Sequence, residues 1–354
     1  MRNQYVAYVG SYSYNGQAKG ITIYDVDMEK GYFKYRCEVE VDNSSYLTVS
    51  NDGRTLYSIA DEGIVSFRIL ENGALARLNS AKIKGMRGCH IATDDGDEYI
   101  FVSGYHDGKE TVLRLRPDGS VGEITDGVYH KGLGSVAERT FRPHVSCGRR
   151  TPDGKFVMVA DLGIDQVKIY RFDGKKGLLS LVDAIRCELE SGPRQFLFSR
   201  DGRFLYLMYE IKNVIDVYTY ETGDRVPKIE KIQTIASTAP ERLSQLTAAC
   251  AIRMSGDGAY LYCSNAGDNS VSIYRRDADT GLLTLLCCLP ISGDYPKDIA
   301  VFPDAQHLAS INHGSNSISF FRVDYEEGLI VMCNRSIEVN EPNCCVIVKV
   351  PEEK

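Results

Sequence analysis

The chain has 354 residues, enough for one large domain or two ordinary ones. Its 41 basic and 48 acidic residues leave a net charge of −7, which argues against nucleic acid or an anionic membrane as the main partner. No run approaches the ~18 apolar residues of a spanning helix, and the opening MRNQYVAYVGSY becomes strand-like too soon for a signal peptide to be expected.

From the N-terminus, YVAYVGSY, GITIYDV and YFKYRCEV read as three short strands with no partner ahead of them. A repeat then begins. Turn segments NDGRTLY, DDGDEYIF, PDGKFVM, RDGRFLY, GDGAYLY and PDAQHLA place aspartates at Asp52, Asp95, Asp153, Asp201, Asp257 and Asp304. A short apolar strand precedes each turn and a second follows it. A third, alternating strand comes next (IVSFRIL, TVLRLRP, QVKIYRF, VIDVYTY, SVSIYRR, SISFFRV), and then a weaker fourth. Asp-Gly suits the first turn because both residues tolerate positive φ. After the sixth repeat a single strand, CCVIVKV, remains.

Six repeats of four strands are six blades of an all-β propeller, and the two chain ends make a seventh. The last strand would be the innermost strand of the N-terminal blade and close the ring, removing exposed edges. The expectation is one seven-bladed domain of four-stranded antiparallel blades over 1–354. The one helix-like stretch is PERLSQLTAAC, 240–250, and the swollen spacings place specificity loops at 125–142 and 234–247.

Eleven cysteines form no CxxC pair, and two couples are direct neighbours, Cys287-Cys288 and Cys344-Cys345. That spacing suits neither a disulfide framework nor zinc, so a reducing cytoplasm is expected. The six histidines show no ligand-pair spacing, and no metal site is expected.

Equivalent offsets in a repeat occupy equivalent places around the axis. Seven residues before the turn aspartate, at the start of the innermost strand, stand Ser45, Ser146, Arg194, Cys250 and Lys297, with Cys89 and Asn343 in matching places. Nine residues after it, at the end of the second strand, stand Asp61, Leu162, Glu210, Ala266 and His313, with Tyr105 matching approximately. Charged residues in two such rings at one channel mouth point to a pocket for an anionic, oxygen-rich ligand. His144 lies two residues upstream of Ser146, on the same face of a regular strand. His90 and Arg253 occupy innermost strands, where an arginine must face the channel or be paired.

The segments YVGSYS, SYLTVSNDGRTLYSIAD, GCHIATD, RPHVSCGRRTPDGKFVMVADLGIDQVKIYRFD, GPRQFLFSRDGRFLYLMYE and EPNCCVIV run through the whole chain. In these it resembles the lactonase family of seven-bladed β-propellers, which includes propeller-type 6-phosphogluconolactonases and fungal carboxymuconate cyclases. The resemblance implies hydrolysis of a small anionic sugar-acid lactone, most closely 6-phosphogluconolactone, without metal or organic cofactor. The family's site arginine and glutamate match Arg194 and Glu210. Its histidine position is Ser146 here, with His144 nearby, and its second arginine position is Ala266. Arg253 stands where relatives often carry histidine, and Lys297 replaces an arginine.

On that basis Glu210 is the expected base or water-orienting carboxylate, Arg194 binds the lactone carbonyl or a phosphate, and His144 shuttles a proton. Lys297 and Arg253 supply phosphate charge, with His90, Ser146 and His313 as further substrate-binding residues. No GxSxG elbow is present, so no acyl-enzyme is expected. Two other readings stay open: a lactonising, cyclase-type enzyme, or a non-catalytic binding propeller whose site has degraded.

Overall fold

In the computed structural model the first turn of each repeat is built by its own side chains. Ser50, Thr151, Ser199 and Ser255 donate their hydroxyls to Asp52, Asp153, Asp201 and Asp257 at 2.5–2.6 Å. Each aspartate also accepts the backbone N–H two residues on, at 2.9–3.2 Å. The glycine between them takes φ of 68–75°, which a side chain would strain. This tight corner reverses the chain from the innermost strand into the second.

The structure describes residues 5–135, 140–244 and 246–350. Seven four-stranded antiparallel sheets follow one another around the ring. The closing strand, Pro342–Lys349, pairs with the first, Tyr5–Ser11, so the N-terminal blade takes its innermost strand from the C-terminus. That blade is counted here as blade one, and blade two begins at Leu47.

Between blades, two sheet faces bury apolar side chains against each other. Phe156, Met158 and Ala160 of blade four meet Phe196, Leu205 and Leu207 of blade five, all fully buried. Each large side chain there contributes ~1.5–3 kcal/mol. Tyrosines add a directional tie. Tyr8, Tyr57, Tyr99 and Tyr206 each donate to the carbonyl of Gly73, Gly119, Gly174 or Gly281 in the next blade, at 2.8–3.0 Å. This use of an apolar ring with a polar tip accounts for four of the chain's 22 tyrosines.

Three local expectations are corrected. Of the helix-like stretch 240–250, only Pro240–Arg242 makes a 3-10 turn, and Ala248 already begins the innermost strand of blade six. The loops expected at 125–142 and 234–247 start later, because the fourth strands run to Tyr129 and Ala236; residues 136–139 and 245 lie outside the described residues. In blade three the turn role falls one residue earlier than Asp95. Asp94 takes the place of Ser50, accepting the N–H of Glu98 and Tyr99 at 2.8 Å, and Gly96 stands where other blades have aspartate. Counted from Gly96, Cys89 and Tyr105 fall at the same two offsets as their counterparts.

Candidate functional site

The seven residues at the start of the innermost strands all line one cavity of about 280 Å³ at the channel mouth. A β-bulge explains their aim. The strand register skips Ser146, Arg194, Cys250 and Lys297 in blades four to seven, and Asn343 in the closing strand. A bulged residue leaves the ladder and its side chain is redirected, here toward the axis. A wider cleft of about 580 Å³ at the opposite mouth is walled by Val346–Val350 and Asn51–Gly53. That cleft carries Lys349 and an Asp52 already committed to its turn, whereas the smaller cavity gathers Arg194, Glu210, Arg253, Lys297 and Asp298.

Most of the ring serves to tie blade to blade. Ser45 donates to the Gly88 carbonyl at 3.1 Å, Cys89 to that of Val145 at 3.4 Å, and Ser146 to that of Pro193 at 3.1 Å. Arg194 continues the series through Nε, 2.8 Å from the Cys250 carbonyl. A guanidinium carries five N–H donors, and its Nη1 also pairs with the Glu210 carboxylate. Glu210 is held by its own N–H on the Gly192 carbonyl at 2.8 Å, and its side chain is only 5% exposed against 28% for Arg194. A buried carboxylate beside a partly open guanidinium is therefore the polar centre of the cavity.

A second network lies on the cavity wall. Arg253 meets Asp298 at 2.6 Å and Tyr46 Oη at 3.3 Å. Gln195 donates to Tyr46 at 2.8 Å and accepts the Ile252 N–H at 2.9 Å. Asp298 takes the Cys345 N–H at 3.0 Å. Arg253 thus clamps blade six to blade seven, and the charge expected of it for a substrate phosphate is offset by Asp298. Lys297 is different: its Nζ meets Asn343 Oδ1 at 2.6 Å and lies 4.7 Å from the Tyr12 ring, and among the described residues no carboxylate pairs with it.

Several expected site residues are placed elsewhere or otherwise engaged. His144 does not line the cavity. Its ring stacks on Tyr105, 4.3 Å between centroids, and its Nδ1 lies 2.9 Å from the Tyr105 carbonyl, because the bulge at Ser146 breaks the alternation that would have shared their faces. Burial lowers its pKa. His313 also stays outside, packed against Tyr12 and Tyr295 at the rim, with its Nδ1 3.2 Å from the Pro342 carbonyl. Ser146 lines the cavity, but its hydroxyl is engaged with the Ala160 and Pro193 carbonyls, so it is not poised as a nucleophile. His90 lines the cavity wall against Tyr46; burial, then Arg149 and Arg253, push its pKa well down, and it stays neutral near pH 7. Of the second ring, only Glu210 and Tyr105 reach the cavity. Asp61 pairs with Arg87 at 3.0 Å on the rim, and Leu162 and Ala266 are buried in their blades. Sequence reasoning missed Tyr12, Tyr46, Gln195 and Asp298; the signal for Asp298 was a carboxylate one residue after Lys297 in an innermost strand that otherwise reads as apolar.

The comparisons agree with this architecture. The family model described as Lactonase, 7-bladed beta-propeller matches residues 6–347. The chain belongs to this family. A relative from Bacillus subtilis (strain 168), 6-phosphogluconolactonase, is 28% identical over 306 residues, covering 85% of this chain and 86% of its own. The solved periplasmic gluconolactonase of Pseudomonas aeruginosa superposes with a TM-score of 0.91 at 27% identity, covering 98% of this chain and 100% of that one. A solved chain from Bacteroides fragilis NCTC 9343 is 30% identical with a TM-score of 0.88, covering 98% of each.

Proposed function

We propose that this lactonase-family propeller hydrolyses a sugar-acid δ-lactone, most closely 6-phosphogluconolactone, to the open-chain acid. The observation that carries this is the Arg194–Glu210 pair, brought by two strands of blade five to the wall of the charged cavity. The relatives named for 6-phosphogluconolactonase and gluconolactonase support the reaction class.

Glu210 accepts a proton from a water attacking the lactone carbonyl carbon. Arg194 donates to the carbonyl oxygen as it becomes an alkoxide, the point where fixed donors stabilise most. When the tetrahedral carbon collapses, its bond to the ring oxygen breaks and Glu210 returns the proton to that oxygen. The carboxylate is restored and one water has been consumed. General acid–base help of ~10²–10⁴-fold is what a single positioned carboxylate supplies. Eleven unpaired cysteines support a reducing, cytoplasmic setting as part of this proposal.

The test is the loss of 6-phosphogluconolactone and of δ-gluconolactone, followed against the spontaneous rate. A protein-dependent rate that scales with protein concentration supports the reading. A rate equal to buffer for both lactones removes it and leaves the binding propeller.

A further inference from the structure

The charges in the cavity can be paired off one by one. Arg194 faces Glu210, and Arg253 faces Asp298. Arg87, at the rim, is 4.8 Å from the Tyr12 ring but paired with Asp61. Among the described residues lining the cavity, Lys297 is the remaining cation, and its nearest polar partners are neutral: Asn343 Oδ1 at 2.6 Å and Tyr12 Oη at 3.5 Å. Asn343 is buried, and its Nδ2 has no hydrogen-bond partner among the described residues, so a donor stands beside the ammonium unused. A single uncompensated ammonium, a buried amide with an unused N–H and a tyrosine hydroxyl lie together in the cavity wall, close enough to Arg194 for its charge to act on Lys297.

We propose that Lys297, Asn343 and Tyr12 seat the phosphate of a phosphorylated sugar lactone, and that Lys297, rather than Arg194 or Arg253, supplies the charge that selects it. This rests on the hydrolytic reading of the same cavity and assigns its specificity end. A lysine here confers a property that an arginine would lack. Burial, then the Arg194 charge, lowers its pKa to about 8, so its charge is partly lost in mildly alkaline solution. The groups facing it are Arg194 from blade five, Arg87 from the connection into blade three, Cys250 from blade six, Cys344 and Tyr12 from blade one, and His313 from its own blade. His313 is itself lowered by burial and by Lys297, so it does not take over as a cation at that pH.

The experiment is calorimetric binding of 6-phosphogluconate, glucose 6-phosphate and gluconate to the full chain at about pH 7.5 and about pH 9.5. A phosphate monoester, with its second pKa near ~6, is already dianionic across this interval, so a change in affinity belongs to the protein. The wild type is expected to bind both phosphorylated compounds more tightly than gluconate. Their affinity should fall roughly tenfold or more at the higher pH, as the protonated fraction of Lys297 falls.

Lys297→Arg should keep the preference and lose the pH dependence, since arginine does not titrate there. Glu110, the other group pushed to about 8, is intact in that variant and serves as its control. Lys297→Met should bind 6-phosphogluconate no better than gluconate, with its melting transition reporting that the fold survives. Equal affinity of the wild type for gluconate and 6-phosphogluconate would overturn the proposal. So would an alkaline loss retained in Lys297→Arg, wild-type binding by Lys297→Met, or a pH-dependent gluconate affinity with a pH-independent glucose 6-phosphate affinity. Wild-type lactone turnover, measured separately, distinguishes the failures. Turnover without phosphate preference removes this assignment alone, and phosphate preference without turnover removes the hydrolytic reading alone.

Discussion

Replacing Arg253 by methionine asks whether this arginine clamps blades or binds substrate. The substitution keeps a long, flexible side chain and removes the charge facing Asp298, whose side chain is only 2% exposed. Breaking a buried pair by deleting one partner costs ~3–5 kcal/mol, because the other charge is left uncompensated. Here Asp298 keeps two backbone donors, Cys345 N–H at 3.0 Å and Ile299 N–H at 2.8 Å, so the expected loss is at the lower end, about 3 kcal/mol. Urea unfolding would read this as a lower midpoint with an unchanged slope. The double variant Arg253→Met/Asp298→Asn should be more stable than the sum of the single losses predicts, since the stranded charge is gone. An Arg253→Met protein as stable as wild type, but with weakened binding of 6-phosphogluconate, would refute the clamp and return Arg253 to the ligand.

Two other outcomes follow from burial and hydrogen bonding. Ser146→Ala should leave the lactone rate within about threefold of wild type and cost ~1 kcal/mol of stability, the worth of one interblade hydrogen bond; a loss of several orders of magnitude in rate would show that the hydroxyl does chemistry. Glu110 is fully buried with Ser103 as its donor at 2.7 Å, and burial raises its pKa to about 8. Its folded form therefore holds a proton that the unfolded form releases near the ordinary carboxylate value of ~4.3. That contribution is complete below the unfolded value and is lost as pH rises through about 8. Unfolding of wild type and Glu110→Gln from about pH 5 to about pH 8.5 should show wild type losing stability relative to the variant; parallel curves would contradict the protonated carboxyl.

Most blades were legible in the sequence because they repeat one turn chemistry, a hydroxyl or carboxylate closing a tight corner; blade seven keeps only the aspartate, Asp304, followed by Ala305 at φ 54°. Six of the seven cavity residues were legible for the same reason, a fixed offset from that corner, which in blades four to seven marks the bulge that redirects them; Asn343 was placed by ring closure. Blade three slipped by one where Asp94 took the serine's role, and the regular offset reappears only once that exchange is seen. What a repeat cannot encode is contact between neighbouring blades. The pairing of Arg253 with Asp298 joins residues of different blades at unrelated offsets, and that of Lys297 with Asn343 joins two members of the same ring whose contact the repeat does not specify. His144 was misplaced because alternation fails at a bulge, and the same bulge that aims Arg194 and Lys297 inward turns His144 toward Tyr105. The second ring was only half informative, because the second strands lie one layer out and reach the cavity only where a long side chain such as Glu210 spans that layer.

A kinetic cycle on Arg194 and Glu210 bears most directly on hydrolysis in this cavity. Wild type, Arg194→Lys, Glu210→Gln and the double variant would be compared for turnover of 6-phosphogluconolactone above the spontaneous rate, with melting transitions as the folding control. If the pair works as one unit, each single variant loses roughly 10²–10³-fold in kcat and the double variant loses little more than either. Near-wild-type turnover in either folded single variant, or losses that multiply in the double, would contradict a shared reaction centre at Arg194 and Glu210.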